Sequence, residues 1–232
     1  MYLINVNHFF RLKTTVPVPK VHDYDSSSTN KFGARFIIMD YIDGLPASTL
    51  KQRTDCDVDL YGTPEQDIHF RKQMADIHAE LANCVFDQIG SLLYDEQTGF
   101  TIGPDVETGF GPWRSSLEYF NDIADHSFRT FLASIDDDRK LRWHRTCSLP
   151  LVFKQLTRIY CTETNGPFHL INRDFGAHNL LVNEKFEIVG VIDFDSLMAA
   201  PVEMVAQFPR LTGLDRPIPW PLGPDGKATS CH

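Results

Sequence analysis

Three side chains in the last third of the chain have the types and the spacing to do chemistry. Asp174 is followed five residues later by Asn179, and fourteen residues after that comes Asp193. An amide oxygen and a carboxylate can share one hard, oxygen-seeking cation. Magnesium fits such a pair best, because it takes one or two protein oxygens and completes its shell with phosphates and water. Asp174 has a different task open to it: a group that must take a proton from a substrate hydroxyl has to be a carboxylate, not an amide. Together the three suit a site that holds a divalent cation and a phosphate beside a hydroxyl nucleophile.

The elements that must position them are short. Leu180-Leu-Val182 and Gly190-Val-Ile192 are apolar β-type runs, with Asn183-Glu-Lys185 between them as turn material. A reversal centred on Phe186 pairs 180 with 192 and 179 with 193. Asn179 and Asp193 then sit side by side at the open end of a hairpin, with Cα atoms about 4.5–5.5 Å apart. Asp174 lies on the loop that enters it. Arg173 either contacts phosphate or pairs with an acid on the C-terminal helices. Asp195 makes a D-x-D pair with Asp193, a pattern found in enzymes that form an aspartyl phosphate. Those enzymes want Thr or Val two residues after the second Asp, and here Ser196-Leu197 follow. Asp195 reads instead as a helix cap or as a partner behind the metal ligands. His169 and His178 flank the site without other ligand types at metal spacing, so they read as packed or hydrogen-bonded histidines.

Around this segment the chain alternates strand and helix signals. Residues 14–25 carry Pro17 and Pro19 and read as extended; Ser26–Lys31 is turn-rich; Phe36-Ile-Ile-Met39 is a short apolar strand. Thr63-Pro-Glu-Gln66 is a helix start with a capping box, and Phe70, Met74, Ile77 and Leu81 follow on one helical face. Ser115-Ser-Leu-Glu118 repeats the capping pattern ahead of Phe120, Ala124, Phe128, Phe131 and Ile135. The glycine-rich stretch 90–114 reads as a long irregular connection. Residues 136–140 read as a solvated helix end, and Pro150 as the start of a third helix with Leu156 and Ile159 on its apolar face. The Pro- and Gly-rich tail from Arg216 reads as loose.

Composition excludes several classes. With 42% hydrophobic and 23% charged residues, the 232-residue chain is ordinary for a globular protein. A net charge of −9 argues against nucleic-acid binding as the main activity, which needs clustered Lys and Arg, and leaves a small cationic substrate open. The group Arg139, Lys140, Arg142 and Arg145 reads as solvated surface, and the acidic runs at 55–59 and 136–138 as exposed loop charge. Five cysteines without a C-x-x-C pair indicate neither a zinc knuckle nor a disulfide framework. No secretory signal opens the chain and no apolar run is long enough for a membrane span, so a cytoplasmic protein is expected, with the mitochondrion left open.

The pattern D-x4-N-L-L-V followed by G-V-I-D resembles the catalytic and metal-binding segments of the aminoglycoside phosphotransferase family, within the protein-kinase-like superfamily. The likeness is closest to fungal members with Asn-Arg-Asp-Phe-Gly-Ala-His-Asn at 172–179 in place of the usual H-G-D. Val16–Val21, Phe36–Gly44, Ile89-Gly-Ser91 and Ala200-Pro-Val-Glu203 agree with it, so the resemblance covers roughly residues 14–219. It implies an α+β, protein-kinase-like fold: a mainly α-helical C-terminal lobe with a catalytic β-hairpin, at 43–232, and a remnant of the N-terminal β-sheet and hinge at 1–42.

The resemblance also implies roles. Asp174 is the catalytic base, Asn179 and Asp193 hold Mg2+, and the backbone of Met39, Tyr41 and Ile42 forms the hinge that meets the adenine of ATP. The partners implied are the nucleotide and a small-molecule hydroxyl substrate, and catalysis rests on positioning and charge stabilisation. Two departures stand out. Asn172 occupies the place of a loop-organising His. Ahead of the hinge there is no Gly before Gly33, and neither Lys13 nor Lys20 follows a phosphate loop. The chain is therefore expected to be either a working phosphotransferase, or a catalytically impaired kinase-like binding or regulatory protein or truncated gene product that lacks the ATP-clamping lobe.

Overall fold

The computed structural model describes residues 2–53, 59–133, 143–161, 165–194 and 196–206. In chain order its elements are α1 (Tyr2–Lys13), β1 (Val21–Asp25), β2 (Phe36–Met39), β3 (Leu45–Pro46), α2 (Ala47–Leu50), β4 (Gln52–Arg53), β5 (Asp59–Leu60) and α3 (Pro64–Ala82). There follow β6 (Val85–Phe86), β7 (Gly90–Asp95), β8 (Gly99–Gly103), α4 (Ser116–Ala133), α5 (Trp143–Tyr160) and β9 (Phe168–Asn172). The last are β10 (Leu180–Val182), β11 (Ile188–Val191), β12 (Leu197–Ala200) and α6 (Val202–Val205). The fold is α+β, as the sequence leads one to expect.

Helix α3 forms where its signals predict. Thr63 Oγ1 accepts the Gln66 N–H, and Gln66 Oε1 accepts the Thr63 N–H at 2.8 Å, so each side chain satisfies an otherwise open donor of the first turn. Phe70, Met74, Ile77 and Leu81 are all buried along one face, each worth about 1.5–3 kcal/mol of transfer free energy. They meet Val6, Phe9 and Phe10 of α1 and Leu180, Val182 and Val191 of the β10–β11 hairpin in one core. A second core lies under α4, where Trp113, Tyr119 and Phe120 pack on Phe168, Ile171 and Met198.

Three antiparallel sheets matter for the site. β1 pairs with β2, β3 adds to the hairpin in the order β11-β10-β3, and five strands run β6-β9-β12-β7-β8. In the last of these, Leu197 lies opposite Asn172, which brings the chain leaving Asp193 beside the end of β9.

Several expectations need correction. Residues 90–114 are not irregular throughout: β7 and β8 form a hairpin paired from Ser91–Gly103 to Asp95–Gly99. Its glycines serve the sheet, since a Cβ on Gly90 would fall 2.1 Å from the Gly103 carbonyl oxygen, and Gly99 closes the turn at φ +75°. Pro150 does not start α5 but lies inside it. The packing of α5 on α4, with Phe153 against Phe120 and Lys154 on Asp125, outweighs the lost backbone bond. Leu156 and Ile159 are 45% and 69% exposed, because the buried side of α5 runs through Thr157 instead. Helix α1 is an addition that Asn5, Asn7 and His8, weak helix formers, had hidden.

α4 begins as expected at Ser115, whose Oγ accepts the Glu118 N–H, although Glu118 reaches back to the Arg114 N–H, one residue further than a capping box requires. Ile135, the helix end expected at 136–140, Arg139, Lys140, Arg142, Asp55, Asp57 and the tail from Arg216 lie outside the described residues, as do the side chains of Asp59, Phe131 and Arg145.

Candidate active site

The hairpin that carries the site is out of register with the simple count. Leu180 pairs with Val191 and Leu181 with Gly190, but Val182 pairs with Ile188. The turn is centred on Lys185, one residue earlier than expected: Asn183 donates its N–H to Glu187 O, and Phe186 takes the left-handed conformation at φ +57° that closes such loops. The Asn183 side-chain oxygen accepts the N–H groups of Lys185 and Glu187 and fixes this choice. Val189 is then an extra residue, a bulge that recovers part of the slip. At the open end Ile192, not Asp193, donates to Asn179 O at 3.0 Å. Asp193 lies one residue beyond the ladder, at φ +60°, a conformation Asp tolerates better than most side chains.

Asn172 joins the two halves instead. The residue is buried, at 5% exposure. Its Oδ1 accepts the Asp174 N–H at 3.0 Å and its Nδ2 donates to the Asp193 carbonyl at 3.3 Å. One amide thus ties the backbone of the candidate base to that of the candidate metal ligand. A donor and an acceptor on the same side chain are what the position needs, and Asn supplies both.

Beyond Asn172 the loop turns tightly. Phe175 donates to Asn172 O and Asn179 to Gly176 O, while Phe175 and Ala177 are buried and Ser48 of α2 donates to the Ala177 carbonyl. Asp174 keeps 41% of its side chain exposed, so a substrate hydroxyl can reach it. Its Oδ2 accepts from Asn179 Nδ2 at 3.4 Å and faces His178 Nε2 at 3.1 Å. His178 is hydrogen-bonded, and so is His169, whose Nδ1 faces Ala82 O at 2.7 Å.

The donor set fits a hard cation. Asn179 is buried and both of its side-chain bonds use the amide nitrogen, toward the Asp174 carbonyl and carboxylate. Its oxygen is the end left for a ligand. The Asp193 carboxylate is exposed and makes no hydrogen bond or ion pair to the described residues. Among these residues no group of three or more His, Cys, Asp or Glu could enclose a metal. Two oxygens suit an ion that shares its shell with phosphates, not one caged by protein alone.

Arg173 turns away from this opening. Its guanidinium grips Asp105, Nη2 to Oδ1 at 2.8 Å and Nη1 to Oδ2 at 3.4 Å, and reaches Glu107 at 3.1 Å. Asp105 is fully buried in the loop after β8. The acid it pairs with is therefore in that loop and not on a C-terminal helix. Burial pulls the guanidinium pKa down, but the hydrogen bond and charge of Asp105 and the charge of Glu107 raise it beyond its usual value. Burial pushes the nearby Tyr119 hydroxyl up to about 12, against a smaller opposing pull from Arg173. The Asp105 network is a feature that sequence reasoning missed. Asp195 lies outside the described residues.

The segment from Met39 to Pro46 reaches the same hairpin from its outer edge. β3, just after Ile42, pairs Pro46 with Leu181 and Leu45 with Val182. Ile42 packs at Gly190, where an added Cβ would fall 2.6 Å from its Cδ1. Met39 and Tyr41 are 46% and 88% exposed, and the Asp40 N–H is held by Lys20 O. A cavity of about 720 Å³ beside Tyr41 lies at the turn end of the hairpin, against Asn183–Phe186, away from Asp174, Asn179 and Asp193.

Two carboxylates, Asp174 and Asp193, and the Asn179 amide thus gather at the open end of one hairpin. The sequence pattern of the APH phosphotransferase enzyme family matches residues 6–204, and the chain belongs to that family. Its fold is similar to crystal structures of a thermostable mutant of aminoglycoside phosphotransferase APH(4)-Ia. The apo form has 19% identity and a TM-score of 0.53, covering 85% of this chain and 57% of that one. A ternary complex of the same protein with AMP-PNP and hygromycin B has the same identity and TM-score, with 86% and 57% covered. The chain thus spans somewhat over half the length of these structures. No curated protein matches it.

Proposed function

We propose that the chain is a phosphotransferase that moves the γ-phosphoryl group of ATP, with Mg2+, to the hydroxyl of a small molecule. The observation that carries this reading is the Asn172 bridge, which holds the backbones of Asp174 and Asp193 together while leaving both carboxylates accessible. Asp174 accepts the proton of the attacking hydroxyl. The Asn179 amide restrains its carboxylate from behind, so the base waits in one orientation. Asn179 and Asp193 would hold Mg2+, which when bound neutralises charge on the phosphates. The backbone of Met39, Tyr41 and Ile42 would meet the adenine. Residues 1–42 would then be a remnant of an N-terminal lobe and 43–232 the catalytic lobe, in a protein resident in the cytoplasm.

The AMP-PNP and hygromycin B in the ternary complex of the APH(4)-Ia mutant support a nucleotide and a small molecule as the partners of this chain. A second reading, a kinase-like binding or regulatory protein with impaired catalysis, is favoured by one observation: Ile38, Met39 and Tyr41 stand exposed, with no side chain of the described residues covering the segment that would meet the adenine. Release of labelled phosphate from [γ-32P]ATP with Mg2+, to water or to a panel of small alcohols, separates the two. Turnover abolished by Asp174→Asn supports the first reading; nucleotide binding without turnover supports the second.

A further inference from the structure

Arg173 sits next to the candidate base in a position from which a cation could reach phosphate, but its guanidinium is already committed. It meets both oxygens of the fully buried Asp105, one oxygen of Glu107 and, through Nε at 3.4 Å, the Ser196 carbonyl. Its backbone N–H donates to the same carbonyl at 3.2 Å. Ser196 in turn donates its hydroxyl to Glu107 at 2.8 Å. The loop that supplies the acids is itself ordered. Asp105 accepts the Glu107 N–H and the Thr108 hydroxyl, its carbonyl accepts the Gly109 N–H, and Ser91 Oγ of β7 accepts the Val106 N–H.

Resting on the roles assigned above to Asp174 and Asp193, we propose that Arg173 is a positioning residue that contacts no phosphate. It clamps three segments together: the loop bearing Asp174, the loop after β8, and the turn that leaves Asp193 three residues before Ser196. Removing the guanidinium would strand a fully buried carboxylate and free both chain ends that flank the site. A fork of planar donors suits this task, and Lys, a point donor, cannot span Asp105, Glu107 and the carbonyl at once.

Hydrogen exchange and binding of Mn2+·AMP-PNP, measured on Arg173→Met and Arg173→Lys, test the proposal. The lost bonds to charged groups predict about ten- to hundredfold faster exchange at 172–179 and 104–110 in both variants, with α3 unchanged. The dissociation constant for Mn2+·AMP-PNP should rise at least about tenfold, and Asp105→Asn should add little to Arg173→Met. Weaker nucleotide binding with unchanged exchange at 172–179 would mean direct phosphate contact and overturn the clamp. Equal acceleration in α3 would reduce Arg173 to general stability and overturn it as well. If Arg173→Met does not fold, Glu107→Gln, which removes the half-exposed arm, must still speed exchange at 172–179 by about two- to fivefold; no change there also overturns it. A wild-type chain that binds no nucleotide defeats the proposed function, while the exchange pattern still decides the clamp.

Discussion

Replacing Asn172 by Ala removes both arms of the bridge between the candidate base and the candidate metal ligand. The bond to the Asp174 N–H, at 3.0 Å, is the better formed, and the one to the Asp193 carbonyl, at 3.3 Å, is the weaker. Each is worth about 1 kcal/mol net, and the N–H left behind in a half-buried loop costs more than a group open to water. A total of about 2 kcal/mol corresponds to roughly thirtyfold in the local opening equilibrium. NMR hydrogen exchange on residues 172–179 reads this directly. Asn172→Asp separates the arms, since it keeps an acceptor for Asp174 and places a carboxylate against the Asp193 carbonyl. In that variant Asp174 should stay protected while 193–197 exchanges faster. Exchange at Asp174 in Asn172→Ala within threefold of wild type would refute the bridge.

Three further outcomes follow from the packing and charges. Phe10→Ala should cost about 3–5 kcal/mol in urea unfolding, because the ring is fully buried and stacks on Phe194, next to Asp193, at a centroid distance of 4.2 Å; a loss below about 1 kcal/mol would contradict the packing. Tyr119 titrates near 12 in the fold, against about 10 for a free phenol, so the fold favours its neutral form. The stability this contributes is complete below about pH 10 and is lost as pH rises toward about 12, up to roughly 2–3 kcal/mol, with one of the seven tyrosines forming phenolate last. Thr63→Ala should cost about 1 kcal/mol through the lost cap of α3, measured by thermal unfolding.

Local signals carried the parts of the fold that local physics decides. The Thr63–Gln66 capping box and the Phe70–Leu81 stripe specify α3 without outside help, and Asp174, Asn179 and Asp193 stand out because their types and spacing suit one chemistry. What failed depends on distant contacts or on single backbone angles. The hairpin register turned on Asn183 capping a turn centred on Lys185 and on the bulge at Val189, neither of which alternation reveals. The glycines of 90–103 look like loop material because the close strand approach that demands them is made only in the sheet. Asp105 gave no sign of its pairing with Arg173, sixty-eight residues away, since a lone acid in a Gly- and Pro-containing stretch is usually solvated.

The central claim is that Asn179 and Asp193 hold the cation that brings a nucleotide to Asp174. Calorimetric titration of the chain with AMP-PNP, with and without Mg2+, tests it most directly. The account predicts binding that requires Mg2+, weakened at least about tenfold by Asp193→Ala and kept by Asp174→Asn. No binding heat at millimolar nucleotide with Mg2+, or binding indifferent to both Mg2+ and Asp193→Ala, would contradict it.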